Sequence, residues 1–102
     1  MLCAARGVDA ALVGSVDAFS IAQLLEALQR IGVPRPGRPA VLDAAELEFI
    51  DVRALRDLDG RVADAGATLV LRSPPIFVSR LMELLGVRAM RVEPAEPPER
   101  PT

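Results

Sequence analysis

Apolar and polar positions change their period several times along the chain. Residues 2–6 and 10–16 read as two short strands around a turn at Gly7 to Asp9, and they predict a hairpin at one edge of a sheet. From Ile21 the period lengthens: Ile21, Leu24, Leu25, Leu28 and Ile31 fall on one helical face. Ser20 and Gln23 in front of them have the spacing of a capping box, and Gly32 behind them predicts the end of the helix. Residues 32–39, GVPRPGRP, hold three prolines and two glycines and read as a loop within one domain.

The second half repeats the alternation. AVLDA, residues 40–44, reads as a central strand buried on both sides, and AAELEFI leads from it to Asp51, the expected N-cap of a second helix. That helix is predicted from Val52 to about Ala65, with Val52, Leu55, Leu58 and Val62 inward and Gly66 as its C-terminal cap. Thr68 to Leu71 is a further apolar strand, after which Ser73 and Pro74 have the chemistry of an N-cap and first helical residue. The third helix would carry Phe77, Leu81, Leu84 and Leu85 on one face, stop at Gly86 and lead to a short strand around Ala89 to Val92. The tail, residues 94–102, is Pro-rich with no apolar face and reads as disordered, leaving residues 1–93 as a single domain. Strands alternating with helices predict an α/β fold: one mixed β-sheet with helices packed mainly on one face.

Composition narrows the function classes. The apolar fraction of 51% contains three Phe and no Trp or Tyr, so an aliphatic core is expected and base stacking is not. All twelve basic residues are arginine, which fits a GC-rich coding bias, and they are scattered in a chain of net charge −2. Nucleic acid is therefore not an expected partner. The single cysteine, Cys3, excludes an intrachain disulfide and a multi-cysteine metal site, and fits a reduced, cytoplasmic setting. No apolar run approaches the roughly 20 residues that cross a bilayer, and Arg6 and Asp9 interrupt what a signal peptide would keep apolar.

Catalytic groups are few. There is no His, Tyr or Lys. Asp43, Glu46, Glu48 and Asp51 are close in sequence, but strand ends, a helix cap and a solvated connector account for them. The chain is expected to be no enzyme and to need no cofactor or metal. A ligand sensor would need converging polar groups in a pocket, and the sequence singles out none.

The strand, the FID motif at residues 49–51 and the following helix resemble the signature of STAS domains, the family of the bacterial anti-sigma-factor antagonists. ALVGSVDAF at residues 11–19 resembles the family's second strand and its Gly-x-x-Asp turn, with Gly14 and Asp17 at the matching positions. GATLVLRSPP and SRLMELLGV extend the similarity downstream. The resemblance implies a STAS-like fold and a surface framed by Asp17 and Asp51. In the family the stretch from that aspartate usually reads Asp-Ser-Ser-Gly or Asp-Ser-Thr-Gly, and its first hydroxyl is phosphorylated. Here it reads Asp51, Val52, Arg53 and Ala54, so the phosphoacceptor position holds a valine, and none of the other hydroxyls matches it.

The resemblance implies an anti-sigma factor or switch-kinase-like protein as partner, bound without the phosphorylation switch. The alternatives are a STAS subunit or detached module docked on a transporter complex, and a small-ligand sensor. The expected partner-binding residues are Asp17, Asp51, Val52, Arg53 and Arg56. Two readings stay open for Asp17, a turn carboxylate or a partner contact, and two for Val52, an exposed apolar group or the first inward rung of the helix. Arg53 in the first turn opposes the helix dipole, which an acidic partner or a nearby Asp57 or Asp59 would offset. No direct membrane insertion is expected. A homodimer through a sheet edge or apolar patch is open.

Overall fold

The computed structural model describes residues 1–33 and 35–93. The expected disordered tail at 94–102 lies outside the described residues. In chain order the elements are β1 (Leu2–Cys3), β2 (Ala10–Leu12), β3 (Gly14–Val16), α1 (Ile21–Ile31), β4 (Ala40–Asp43), β5 (Leu47–Ile50), α2 (Val52–Asp64), β6 (Leu69–Arg72), α3 (Ile76–Leu85) and β7 (Met90–Glu93). Five strands form a mixed sheet in the order β1-β2-β4-β6-β7, antiparallel only between β1 and β2. β4 is central, as its aliphatic run predicts.

Ala10, Leu12, Ala40, Leu42, Leu69, Leu71 and Met90 alternate onto the buried face of that sheet. Against them lie Leu24 and Leu28 of α1, Leu55, Leu58 and Val62 of α2, and Val78 and Met82 of α3. The α/β expectation, a mixed sheet with helices mainly on one face, is met. The opposite face is only partly covered, so β4 is not buried on both sides: Val41 and Asp43 point to the open face. There Asp43, Arg72 and Glu93 occupy one row across three strands, with Arg72 Nε 3.1 Å from Glu93 Oε1.

The predicted strand at 10–16 is two strands. Gly14 is left-handed (φ 83°), and the register shifts between it and Ser15, so the chain leaves the main sheet after Leu12. β3 then pairs in parallel with β5, and the connector before Asp51 becomes a strand in a second, two-stranded sheet. The first predicted strand shortens to Leu2–Cys3.

The helices bring four corrections. The box before α1 begins at Asp17 rather than Ser20: Ser20 makes no side-chain cap bond of its own to the helix. Ser73 and Pro74 do not start α3. Pro74 precedes Pro75 and is steered away from helical geometry, while Ser73 is left-handed (φ 56°) and donates its amide to the Glu93 carbonyl, so the N-cap is Pro75. The inward face of α3 is Val78 and Met82, with Leu81 and Leu85 partly buried, whereas Phe77 and Leu84 face out. Ile31, expected inward on α1, is 46% exposed and is the last residue of that helix, where the chain turns away at Gly32. Gly32, Gly66 and Gly86 are left-handed at or just past the ends of the three helices, as predicted.

Burial gives a direct test of the revised α3 face. Leu71→Ala in the core should cost about 2–5 kcal/mol, and Leu84→Ala less than about 0.5 kcal/mol, in urea unfolding of the two variants.

Candidate docking surface

Asp51 is fixed by bonds in three directions. Its extended backbone ends β5, with its amide donating to the Val16 carbonyl at 3.0 Å, and its carbonyl accepts from Leu55 at 3.0 Å. Its carboxylate Oδ1 accepts the Ala54 amide at 2.7 Å, the N-cap bond expected from the sequence. Oδ2 accepts the Ala18 amide at 3.3 Å, a contact across 33 residues that joins the turn after β3 to the start of α2.

Asp17 organises that turn. Its Oδ1 accepts the amides of Phe19 (2.9 Å) and Ser20 (2.8 Å), its carbonyl accepts from Ile21, and its own amide donates to Ser20 Oγ at 3.0 Å. Asp17 and Ser20 thus form a reciprocal box three residues ahead of the predicted Ser20–Gln23 one, with serine in the place usually held by glutamate. The turn-carboxylate reading of Asp17 accounts for its bonds. The Ser20 amide above all, then the Ser20 hydroxyl and the Phe19 amide, hold the Asp17 carboxyl below the ordinary carboxylate range.

The structure brings Asp17 and Asp51 to one place, and directs both carboxylates to backbone amides rather than outward. Val52 resolves the other way from an inward rung. It is 40% exposed because the buried face of α2 is formed by Ala54, Leu55, Leu58 and Val62. Arg53 and Arg56 are exposed on the same helix. Asp59, one of the carboxylates expected near Arg53, is instead turned to the amides of Arg88 and Ala89, at 3.1 and 2.8 Å. Among the described residues, Arg53 and Arg56 have no carboxylate oxygen within 4.0 Å.

Sequence periodicity missed the apolar surroundings. Phe49 on β5 stacks on Phe77 of α3 with ring centroids 6.3 Å apart, and both rings remain partly exposed. Phe19, next to the Ala18 amide that meets Asp51, is 92% exposed. All three phenylalanines of the chain are therefore partly or wholly outside the core. Ile76 and Leu84 continue the apolar surface along α3. One signal was available: α3 reads IFVSRLMELL, with only Ser79, Arg80 and Glu83 polar, which is more apolar than a helix covered on one side requires. An open groove of about 1030 Å³ lies elsewhere, between α1 and α2 above Leu25, Leu28 and Val62. Among the described residues no cluster of His, Cys, Asp or Glu has the arrangement of a metal site, and no helix is long and apolar enough to cross a membrane.

Removing the Asp51 carboxylate as Asp51→Ala should destabilise the protein by about 1–2 kcal/mol in urea titration, since two amides lose their acceptor. Acid offers a second test through Asp17. Its folded pKa is lowered, so its stabilisation is complete above the unfolded carboxylate value and is lost as pH falls through the folded one. The stability difference between wild type and Asp17→Asn, followed by thermal melts, should be constant above about pH 5 and shrink as the pH drops below about 4.

A comparison with curated proteins returns no match. A family model described as "Mlab, STAS domain" matches residues 4–92, from just after β1 through nearly all of β7. With the match spanning all three helices and every strand but β1, and with the fold agreeing, the chain belongs to the STAS domain family.

Proposed function

We propose that this STAS domain is a non-enzymatic protein-docking module. In this reading it binds an anti-sigma factor or switch-kinase-like protein through the junction of β5 and α2, and lacks the phosphorylation switch. The observation that carries it is Val52: an exposed aliphatic side chain at the first position of α2, where the family resemblance puts a phosphorylated hydroxyl. A phosphate there would meet the free amides of the first turn and be released or added by the partner. Valine has no such chemistry, and contributes apolar area to a contact instead. Arg53 and Arg56 supply cations beside it, and Asp17 and Asp51 hold the surface in shape.

One observation favours a second reading. The family model that matches is described by its STAS domain and not as an antagonist, which leaves room for a STAS subunit docked permanently on a transporter complex. Such docking needs no switch, so Val52 fits it equally.

Tagged protein purified from its host, in soluble and detergent-extracted fractions, separates the two. A soluble anti-sigma-type ATPase in stoichiometric amount is the expected result, and a membrane transporter complex would establish the second reading. Val52→Asp keeps an acceptable first-turn residue for α2 and should weaken the partner contact about tenfold or more. Val52→Ser should remain unphosphorylated by a cognate kinase in intact-mass measurements, because Arg53 and Ala54 also depart from the family pattern. Rapid stoichiometric phosphate incorporation would refute that expectation.

A further inference from the structure

Two arginines are held opposite each other on a rigid turn between α1 and β4. Arg35 and Arg38 are partners in an isolated antiparallel bridge, with the Arg38 amide donating to the Arg35 carbonyl at 3.2 Å. Between them the ring of Pro36 fixes its φ and Gly37 is left-handed (φ 78°), which makes them the central residues of a type II turn. Both arginines are exposed, and residues directly opposed in this way send their side chains out on the same face. Like charges so placed oppose the turn that holds them.

Each guanidinium has one anchor. Arg35 Nε donates to the Gly32 carbonyl at 2.7 Å, and its Nη2 lies 2.9 Å from the place that a Cβ on Gly32 would take. Arg38 Nη2 is 3.7 Å from Asp9 Oδ1, while Asp9 Oδ2 accepts the Val41 amide. A guanidinium carries about five N–H donors, so most of those on Arg35 and Arg38 stay open. The charge beside them is one-sided: residues 27–42 contain three arginines and no Asp or Glu, and Arg6 is exposed in the turn that leads into Asp9. Glu26, a turn before Arg30, and Asp64, which lines the α1–α2 groove with Gly32, have no arginine nitrogen within 4.0 Å among the described residues.

The turn is separate from the docking surface. Ala40, two residues after Arg38, donates to Thr68 just beyond the C-terminal end of α2, whereas Val52 starts that helix. A single carboxylate would neutralise one guanidinium and leave the other without a counter-charge. A phosphate monoester carries about −1.5 to −2 charges on one centre, with three acceptor oxygens for both forks at once. We propose that the Arg35–Arg38 turn binds a phosphate monoester, whose dianion bridges the two guanidiniums. A phosphodiester, with one charge, is the poorer fit.

The test titrates the isotope-labelled full chain with O-phosphoserine at constant ionic strength, following by NMR the Gly37 amide and the Nε–H signals of Arg35 and Arg38. These should shift saturably with a Kd below about 10 mM, and dimethyl phosphate should bind at least about tenfold more weakly. Arg35→Gln and Arg38→Gln should each weaken phosphoserine binding about fivefold or more, and Arg80→Gln on α3 should leave it unchanged. Gly37→Ala keeps both charges and strains the turn, so it too should weaken binding, with the melting temperature confirming that the chain stays folded. Cosedimentation with phosphatidylcholine vesicles, with and without phosphatidic acid, distinguishes two sources of the same group. Retention by phosphatidic acid that Arg35→Gln removes would assign it to a lipid headgroup, and binding of phosphoserine alone would assign it to a soluble ester. Absence of saturation, equal binding of dimethyl phosphate, or equal losses from Arg80→Gln and Arg35→Gln would overturn the proposal. So would unchanged binding by Gly37→Ala.

Discussion

The carboxylate of Asp51 accepts one amide from the helix it caps and one from a turn 33 residues earlier. Without it the first turn of α2 and the turn before α1 would be neighbours without a bond between them. The pairing of β3 with β5 brings the two segments close, and the Asp51 amide on the Val16 carbonyl closes the arrangement from behind. The position of Val52, and of every side chain at the start of α2, follows from this constraint. A side chain with one acceptor could cap the helix or hold the turn, and aspartate does both.

The same use of aspartate recurs around the molecule. Asp9 accepts the Val41 amide at 2.7 Å, Asp43 the Ala45 amide at 2.9 Å, and Asp59 the two amides that lead into β7. These bonds fasten loops to the elements they connect, in a chain whose core is aliphatic and gives those loops little packing. Carboxylates committed to amides are poorly placed to act as acids or bases on a bound molecule. The polar chemistry of this domain is largely architectural, and the exposed positions around the start of α2 are left to apolar groups and arginines.

The order of elements could be read from the sequence because it depends on local periodicity and on glycine and proline, as at Gly32, Gly66 and Gly86. Asp51 as a cap was equally local: a carboxylate immediately ahead of a helical pattern. What escaped was decided by neighbours distant in the chain. The turn at Gly14 releases β3 to a partner strand, and only β5, more than thirty residues on, makes that turn worthwhile. The outward face of α3 was hard to tell from its inward face, because Ile76, Phe77 and Leu84 stand there beside Arg80 and Glu83 and satisfy the helical period as well. Ser20 and Asp17 both have cap chemistry, and the choice between them was set by where the chain emerges from β3. Asp17 and Asp51 were linked only through family resemblance, since no spacing rule connects residues so far apart.

The row order of the main sheet has a further consequence. One border is β1, with two residues, and the other is β7, with four, including the exposed Arg91. A foreign strand added at either border would gain few backbone bonds, and at β7 it would meet a charged side chain. The sheet is thereby a poor template for fibrous growth. The exposed phenylalanines lie outside that sheet, in the turn before α1, on β5 and on α3, so they add no apolar side chain to either of its borders.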